Sequence, residues 1–424
     1  MRRHLALDLT PLRGSRDFRL VFAASGVSGL GSFITYVTVP YQVARLTGSP
    51  VAVGLLGLAE LVPLLFMAFV GGALADYADR RRLIVIGELA FTALTGALLL
   101  NTFAPHPYLW LLYVVAGATA AIDGIQRPAL DGLLPRLVPP EQITAAASLQ
   151  ALRMHVASLG GPALAGVLIA STGLRGAYAV DLATFAVSLA CLSRMRAAPP
   201  PVAAERPSLR SVATGLRYAR GRPELLGTYL VDINAMFFGM PQALFPFIAD
   251  RLGGPAVLGP IYAAASAGAL LATLTSGWAA RVHRHGVAIL VAAGAWGAAI
   301  VGFGLARVLW LAIAMLMLAG FADMVSGIFR MTVWNQTIPD HLRGRLAGIE
   351  MLSYSTGPTL GNLESGLAAR LLGLTGSVVS GGLLCMAGTV LCAVALPAFR
   401  RYDGREGLAH KAAEEAAWAE AAAS

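Results

Sequence analysis

Twelve apolar runs dominate the chain, each about long enough to cross a bilayer. They lie at about 20–44, 51–75, 83–103, 108–126, 143–170, 175–194, 225–249, 256–280, 287–306, 309–329, 346–369 and 376–399. A spanning helix needs roughly 20 mostly apolar residues. The breaks between runs hold turn formers: Thr47-Gly48-Ser49-Pro50, Pro105-His106-Pro107, Pro139-Pro140 and Gly253-Gly254-Pro255. The pattern predicts an all-α integral membrane protein with twelve transmembrane helices in two six-helix bundles. The bundles are expected at 1–195 and 223–400, with a cytoplasmic linker at 196–222 and a cytoplasmic tail at 401–424.

Composition agrees with lipid as the solvent. Hydrophobic residues make up 57% of the 424 and charged residues 13%, against about 25% charged in a soluble domain. The net charge of +9 does not point to nucleic acid, because the arginines sit in short clusters between apolar runs. When loops are assigned alternately to the two sides, only Arg45, Arg175, Arg251, Arg307 and Arg370 of the 32 basic residues fall on one side. The positive-inside rule then places both termini in the cytoplasm of a cell-membrane protein. The first run is expected to stay in the mature chain, since the basic start is followed by charge as far as Arg19 rather than by a cleavable apolar core.

The sharpest break is Gly71 to Arg82, where Gly72, Asp76, Asp79, Arg80, Arg81 and Arg82 form a charged hinge between two apolar runs. A second device lies in the fifth run, Ala157-x-x-x-Gly161-Pro162-x-x-Ala165-Gly166. It returns in the eleventh as Ser353-x-x-x-Gly357-Pro358-x-x-Gly361. Small residues let helices pack closely in lipid, and a proline removes one backbone hydrogen bond. The halves repeat at these places. Gly72 corresponds to Gly277, Val138-Pro139 to Ile338-Pro339 and Gly161 to Gly357, at offsets of 205, 200 and 196. Parallel six-helix repeats are a transporter pattern.

At these residues the chain resembles the major facilitator superfamily. The loop signature Gly-x-x-x-Asp-basic-x-Gly-basic-basic falls on Gly72, Asp76, Arg81 and Arg82, with Tyr77 and Asp79 as departures. The fifth-helix motif is similar to that of the exporters of the superfamily. More narrowly, Asp17-Phe18-Arg19-Leu20, Gln126-Arg127-Pro128-Ala129-Leu130 and Ile338-Pro339-Asp340 with Arg343-Gly344-Arg345 resemble the enterobactin-exporter and drug-efflux branch, over roughly 16–400. The resemblance implies proton-driven export of a siderophore-like or drug-like small molecule by alternating access, by a chain that functions as a monomer. A facilitator or importer of the same fold and a non-transporting receptor or scaffold are the alternatives. On this reading Asp76 faces the start of the eleventh helix near Gly344 and Arg345 as an inner latch.

Ionisable residues inside a membrane are costly and mark function. Here they are Glu60, Glu88, Asp123, Arg153, Asp181, Asp232, Asp323, Glu350 and Glu364. Proton coupling needs a carboxyl that is neutral in a dry site and ionised in a wet one. Glu60, Asp232, Asp323 and Glu350 are the candidates, Glu60 foremost, at a depth on the order of 14 Å in its helix. The other reading is that each carboxyl bonds a hydroxyl or arginine of a neighbouring helix. Asp123 and Arg127 lie four apart and can pair. Arg153 needs a carboxylate or an anionic substrate group, and Glu350 is one conceivable partner. Phe33, Tyr36, Phe237 and Tyr354 are candidate cavity aromatics. Cys191, Cys385 and Cys392 lie in apolar runs and imply no disulfide framework and no metal site. No phosphate-binding Gly-x-x-x-x-Gly-Lys is present and no cofactor is implied. The stretch from Ser208 to Arg220 reads equally as an amphipathic surface helix or a solvated linker.

Overall fold

The computed structural model describes residues 8–77, 79–196, 217–218, 220–339 and 343–423. Side chains at 68–77, 134–135, 343–345, 347–354, 406, 410, 414 and 417–423 lie outside that description. Among the described residues all regular structure is helical. The helices are α1 (Thr10–Gly14), α2 (Arg16–Thr47), α3 (Pro50–Tyr77), α4 (Arg80–Asn101), α5 (Leu109–Leu137), α6 (Ile143–Ser193), α7 (Pro223–Phe238), α8 (Phe245–Leu252), α9 (Leu258–Leu274), α10 (His285–Leu305), α11 (Leu309–Thr337), α12 (Arg343–Ala395), α13 (Pro397–Arg401) and α14 (Gly404–Ala423).

Local chemistry sets the boundaries. Ser15 caps α2, its hydroxyl accepting from Phe18 N at 3.2 Å. Gly48 ends that helix in the left-handed region at φ 61°, and Pro50 opens the next. Asn101 at the end of α4 bonds both the N–H and the carbonyl of Tyr108, which closes the connection to α5.

Nine helices among the described residues are long and apolar enough to cross a membrane. Two of these stretches, Pro140–Ser193 and Ser355–Ala395, are 54 and 41 residues long. Each contains one glycine in a non-helical conformation, Gly173 at φ 71° and Gly373 at φ 74°. A side chain would strain the backbone there, so the runs predicted on either side of 170–175 and 369–376 meet at these bends. The predicted run 225–249 is interrupted: α7 ends at Phe238 with Gly239 as its cap, a short 3-10 turn follows at Gln242–Leu244, and α8 begins at Phe245. The predicted 256–280 run is helical only to Leu274, then tightens into a 3-10 turn at Ser276–Arg281. The predicted tenth helix, 309–329, continues to Thr337. The tail forms α14, and Lys411 Nζ donates to Asn335 O at 3.3 Å. Most of the Ser208–Arg220 segment lies outside the described residues.

The chain divides into two compact units. The first takes the described residues of Met1–Ala52, Leu58–Pro207 and Ala249–Ala263, and the second those of Val53–Gly57, Ser208–Ile248 and Ala264–Ser424. Unit 1 has a core patch of Val21, Ala24, Ile84, Ala129, Leu133 and Leu192. In unit 2, Leu225, Ile289, Ala293, Phe329, Val333 and Phe399 pack together. The outward faces are apolar as well: Leu100, Trp310, Leu371 and Leu391 are all strongly exposed. Such surfaces suit a lipid solvent.

Helices in lipid associate through close packing rather than hydrophobic burial, and the two glycine-proline motifs supply it. A Cβ on Gly161 of α6 would meet Leu30 O of α2 at 2.9 Å, with Phe33 closer still. In unit 2, a Cβ on Gly357 of α12 would meet Met236 Cβ of α7 at 2.7 Å, and one on Gly361 would meet Met236 O at 2.5 Å. Pro162 and Pro358 lie inside the helices beside these glycines. The same motif thus joins equivalent helix pairs in the two units.

Candidate functional site

The hinge 71–82 resolves into structural parts. Asp79 caps α4, its carboxylate accepting from Arg81 N at 2.9 Å and Arg82 N at 3.3 Å. That explains one departure from the loop signature, because Asp is among the strongest N-cap residues. The Arg80 guanidinium donates to Gly132 O of α5. Arg81 donates to Leu192 O at 3.3 Å and Ser193 O at 2.9 Å. These carbonyls lie in the last turn of α6, where i+4 donors run out, and Leu192 O also accepts from Met195 N at 3.1 Å. Arg80 and Arg81 therefore tie the ends of three helices of unit 1 together. Gly72 and Asp76 belong to α3, but their surroundings, and with them the latch to Gly344 and Arg345, lie outside the described residues.

Unit 2 brings two of the predicted coupling acids to one cation. Asp232 of α7 and Arg330 of α11 form an ion pair, with side chains 4% and 12% exposed. Asp323 of α11 approaches the same guanidinium at 3.6 Å and is 40% exposed. Asp323 and Arg330 are seven residues apart, two helical turns on one face. A buried charge persists only when paired, and the fork of an arginine can serve two carboxylates. Arg330 Nε has no hydrogen-bond partner among the described residues. Asn234, the other polar residue of that stretch, donates to Cys385 O at 2.9 Å and so ties α7 to α12.

Arg330 lies just past the predicted tenth run, 309–329, and so is not among the candidates above. The helix continues to Thr337, which places the arginine inside it. The i, i+7 spacing from Asp323 was the available signal.

Unit 1 presents acids in three settings. Glu60 of α3 and Asp123 of α5 lie within electrostatic reach of each other. Their helices are closely packed, since a Cβ on Gly117 would meet Ala59 O at 2.8 Å. Asp123 also feels the charge of Arg127. Arg153 of α6 donates from Nη1 to Ser25 O of α2 at 2.8 Å, and Asp131 of α5 acts on its charge. The guanidinium thus uses a backbone carbonyl, and the side chain of Glu350 lies outside the described residues. In the third setting, Glu88 of α4 and Asp181 of the second arm of α6 are 5% and 0% exposed and accept from hydroxyls.

Of the candidate aromatics, Phe33 and Tyr36 meet edge to face at 6.1 Å, and Tyr36 meets Tyr262 at 5.9 Å within unit 1. Phe237 contacts Phe238 at 4.9 Å. The side chain of Tyr354 is outside the described residues.

Repeated helical units that bury acids and arginines in lipid-facing bundles define a multi-pass membrane transporter. Over residues 6–417 the chain matches the family model described as transmembrane secretion effector, and it belongs to that family within the major facilitator superfamily. It is 30% identical over 392 residues to the enterobactin exporter EntS of Citrobacter koseri, covering 91% of this chain and 93% of the relative. It is also 30% identical over 403 residues to EntS of Shigella boydii serotype 18, covering 93% and 95%. Solved structures share the fold. The nucleoside transporter NupG superposes with a TM-score of 0.72 at 12% identity, over 90% of this chain and 99% of that one. A bacterial homolog of the human lysosomal transporter Spinster gives 0.68 at 16% identity, over 93% and 97%. The family makes this chain a secondary transporter and not an enzyme.

Proposed function

We propose that this protein exports a small molecule, siderophore-like or drug-like, across the cell membrane by proton antiport and alternating access. The observation that carries the reading is the 30% identity to enterobactin exporters along more than nine-tenths of both chains. Twelve spans, both termini in the cytoplasm and function as a monomer belong to the same proposal.

The Asp232–Arg330–Asp323 group is the coupling element in this reading. With both acids ionised, two negative charges share one positive charge. A proton arriving at the more exposed Asp323 leaves Arg330 to Asp232 alone. Proton release returns Asp323 to the guanidinium. An anionic substrate group competes with Asp323 for the same donors, so substrate and proton states become linked. Glu60, beside Asp123, is a second coupling candidate, and Glu350 remains a third.

The test is efflux from vesicles loaded with a catecholate siderophore or a drug, with an imposed proton gradient. Export that follows the gradient, is lost in Asp232→Asn and is weakened in Glu60→Gln supports the assignment. Efflux indifferent to the gradient overturns antiport, and gradient-driven efflux untouched by both substitutions overturns the coupling residues.

A further inference from the structure

Three helices of unit 1 carry polar residues at a spacing of seven: Ser28 and Thr35 on α2, Glu88 and Thr95 on α4, and Asp181 and Ser188 on α6. Seven residues are two helical turns, about 10 Å of rise. The residues assemble as two storeys. In one, Ser28 Oγ donates to Glu88 Oε1 at 3.1 Å, and Ser188 lies beside the same carboxyl. In the other, Asp181 Oδ2 accepts from Thr35 Oγ1 at 2.5 Å and Thr95 Oγ1 at 3.2 Å. The acid changes helix between storeys, from α4 to α6, and hydroxyls from the other two helices complete each set. Phe91 and Phe185 stack between them with ring centroids 5.7 Å apart, both buried. Beyond the second storey, Tyr178 donates to Gln42 Oε1 at 2.6 Å, a neutral pair.

Neither acid has a counter-ion among the described residues. The titratable groups acting on Glu88 are Asp181 and Asp123. Asp181 is surrounded by Thr35, Thr95 and Thr184, with Tyr178 close to it. Arg153 is engaged at Ser25 O, one turn before Ser28. Gln126, on the α5 side of Gly87, is neutral and donates to Ile84 O. An ionised carboxylate in such a place would be uncompensated in a low-dielectric interior. A second observation concerns two orphaned atoms. Glu88 Oε2 and Ser188 Oγ are both buried without a hydrogen-bond partner, although the two residues are adjacent. A proton on Glu88 Oε2, donated to Ser188 Oγ, satisfies both.

From this geometry we infer that Glu88 and Asp181 form a two-storey proton-binding site within unit 1, separate from the acids assigned to coupling, each storey holding one proton on a neutral carboxyl. The hydroxyls serve the neutral acid, since a Ser or Thr hydroxyl both donates and accepts. The Phe91–Phe185 stack keeps water from joining the storeys. Occupancy of the site does not depend on the antiport reading. Only its role as an additional proton station in transport does.

The test is infrared spectroscopy of the purified full-length protein in nanodiscs at neutral pH, without substrate or gradient, so that it is independent of the efflux assay. The carboxylic-acid C=O absorption should fall by one group in Glu88→Gln, by one in Asp181→Asn and by two in the double variant. Ser188→Ala, which removes no titratable group, should shift the Glu88 component and leave that of Asp181 in place. An acid band unchanged in both single variants means ionised carboxylates and overturns the site. A band abolished by sodium at fixed pH marks a metal-cation site and overturns it equally. Efflux indifferent to the gradient, with the bands behaving as expected, would instead count against antiport alone.

Discussion

The two units bury carboxyls in opposite ways. In unit 2, Asp232 and Asp323 share the guanidinium of Arg330. In unit 1, Glu88 and Asp181 have hydroxyl partners. A guanidinium stabilises the charged form of an acid and makes the pair mutually dependent, because losing either member strands the other. Hydroxyls serve a neutral acid without demanding a charge. The units repeat in helix order and in the glycine-proline motif, yet their buried polar chemistry is not repeated. Similar backbone packing therefore surrounds a carboxyl–guanidinium group in one unit and carboxyl–hydroxyl groups in the other.

Removing the cation should have the largest effect. Arg330→Ala takes the guanidinium away from buried Asp232, and breaking a buried ion pair costs about 3–5 kcal/mol. The variant should melt far below the parent in detergent and not transport. Asp232→Asn with Arg330→Gln should recover most of the stability and none of the gradient dependence. A single Arg330→Ala that melts with the parent would dissolve the contrast between the units.

The shared packing comes next. Gly161→Val places a branched side chain against Leu30 O and Phe33, and overpacking of this kind costs roughly 1–3 kcal/mol. Gly357→Val should cost a similar amount against Met236, so unequal melting losses would break the equivalence of the two motifs. Asp79→Ala removes an N-cap worth about 1 kcal/mol, and Asp79→Ser should restore most of it in the same melting assay. Smallest of all, Glu88→Gln should leave the melting temperature nearly unchanged if, as proposed, the amide replaces a neutral acid. A loss on the scale of Arg330→Ala would mean that Glu88 is charged and paired like Asp232.

Much of the architecture is legible in the sequence because lipid imposes a long apolar period and turn formers interrupt it. The bends at Gly173 and Gly373 fall within the predicted breaks even though hydrogen bonding continues through them. The polar groupings are less legible. The predicted tenth run stops at 329 because Arg330-Met331-Thr332-Val333-Trp334-Asn335-Gln336 is too polar to read as a span, whereas Trp334 packs on Thr228 and Tyr229 of α7 and the helix runs on to Thr337. Asp232 and Asp323 stand out singly, but their common partner appears only when two helices are side by side. Ser28, Thr35, Thr95 and Ser188 resemble ordinary small packing residues. Only a shared spacing of seven on three separate helices connects them, and no single stretch reveals it. Asp79 looked like a departure from the loop signature, and the cap it makes is a local fact that its position before Arg80 could have shown.

Proton antiport is tested most directly by proton movement itself. In vesicles enclosing a pH-sensitive dye and holding a proton gradient, a transported catecholate should accelerate the collapse of the gradient in the parent protein, and the acceleration should vanish in Asp232→Asn. A gradient that decays at the same rate with and without the transported molecule would contradict proton-coupled export by this protein.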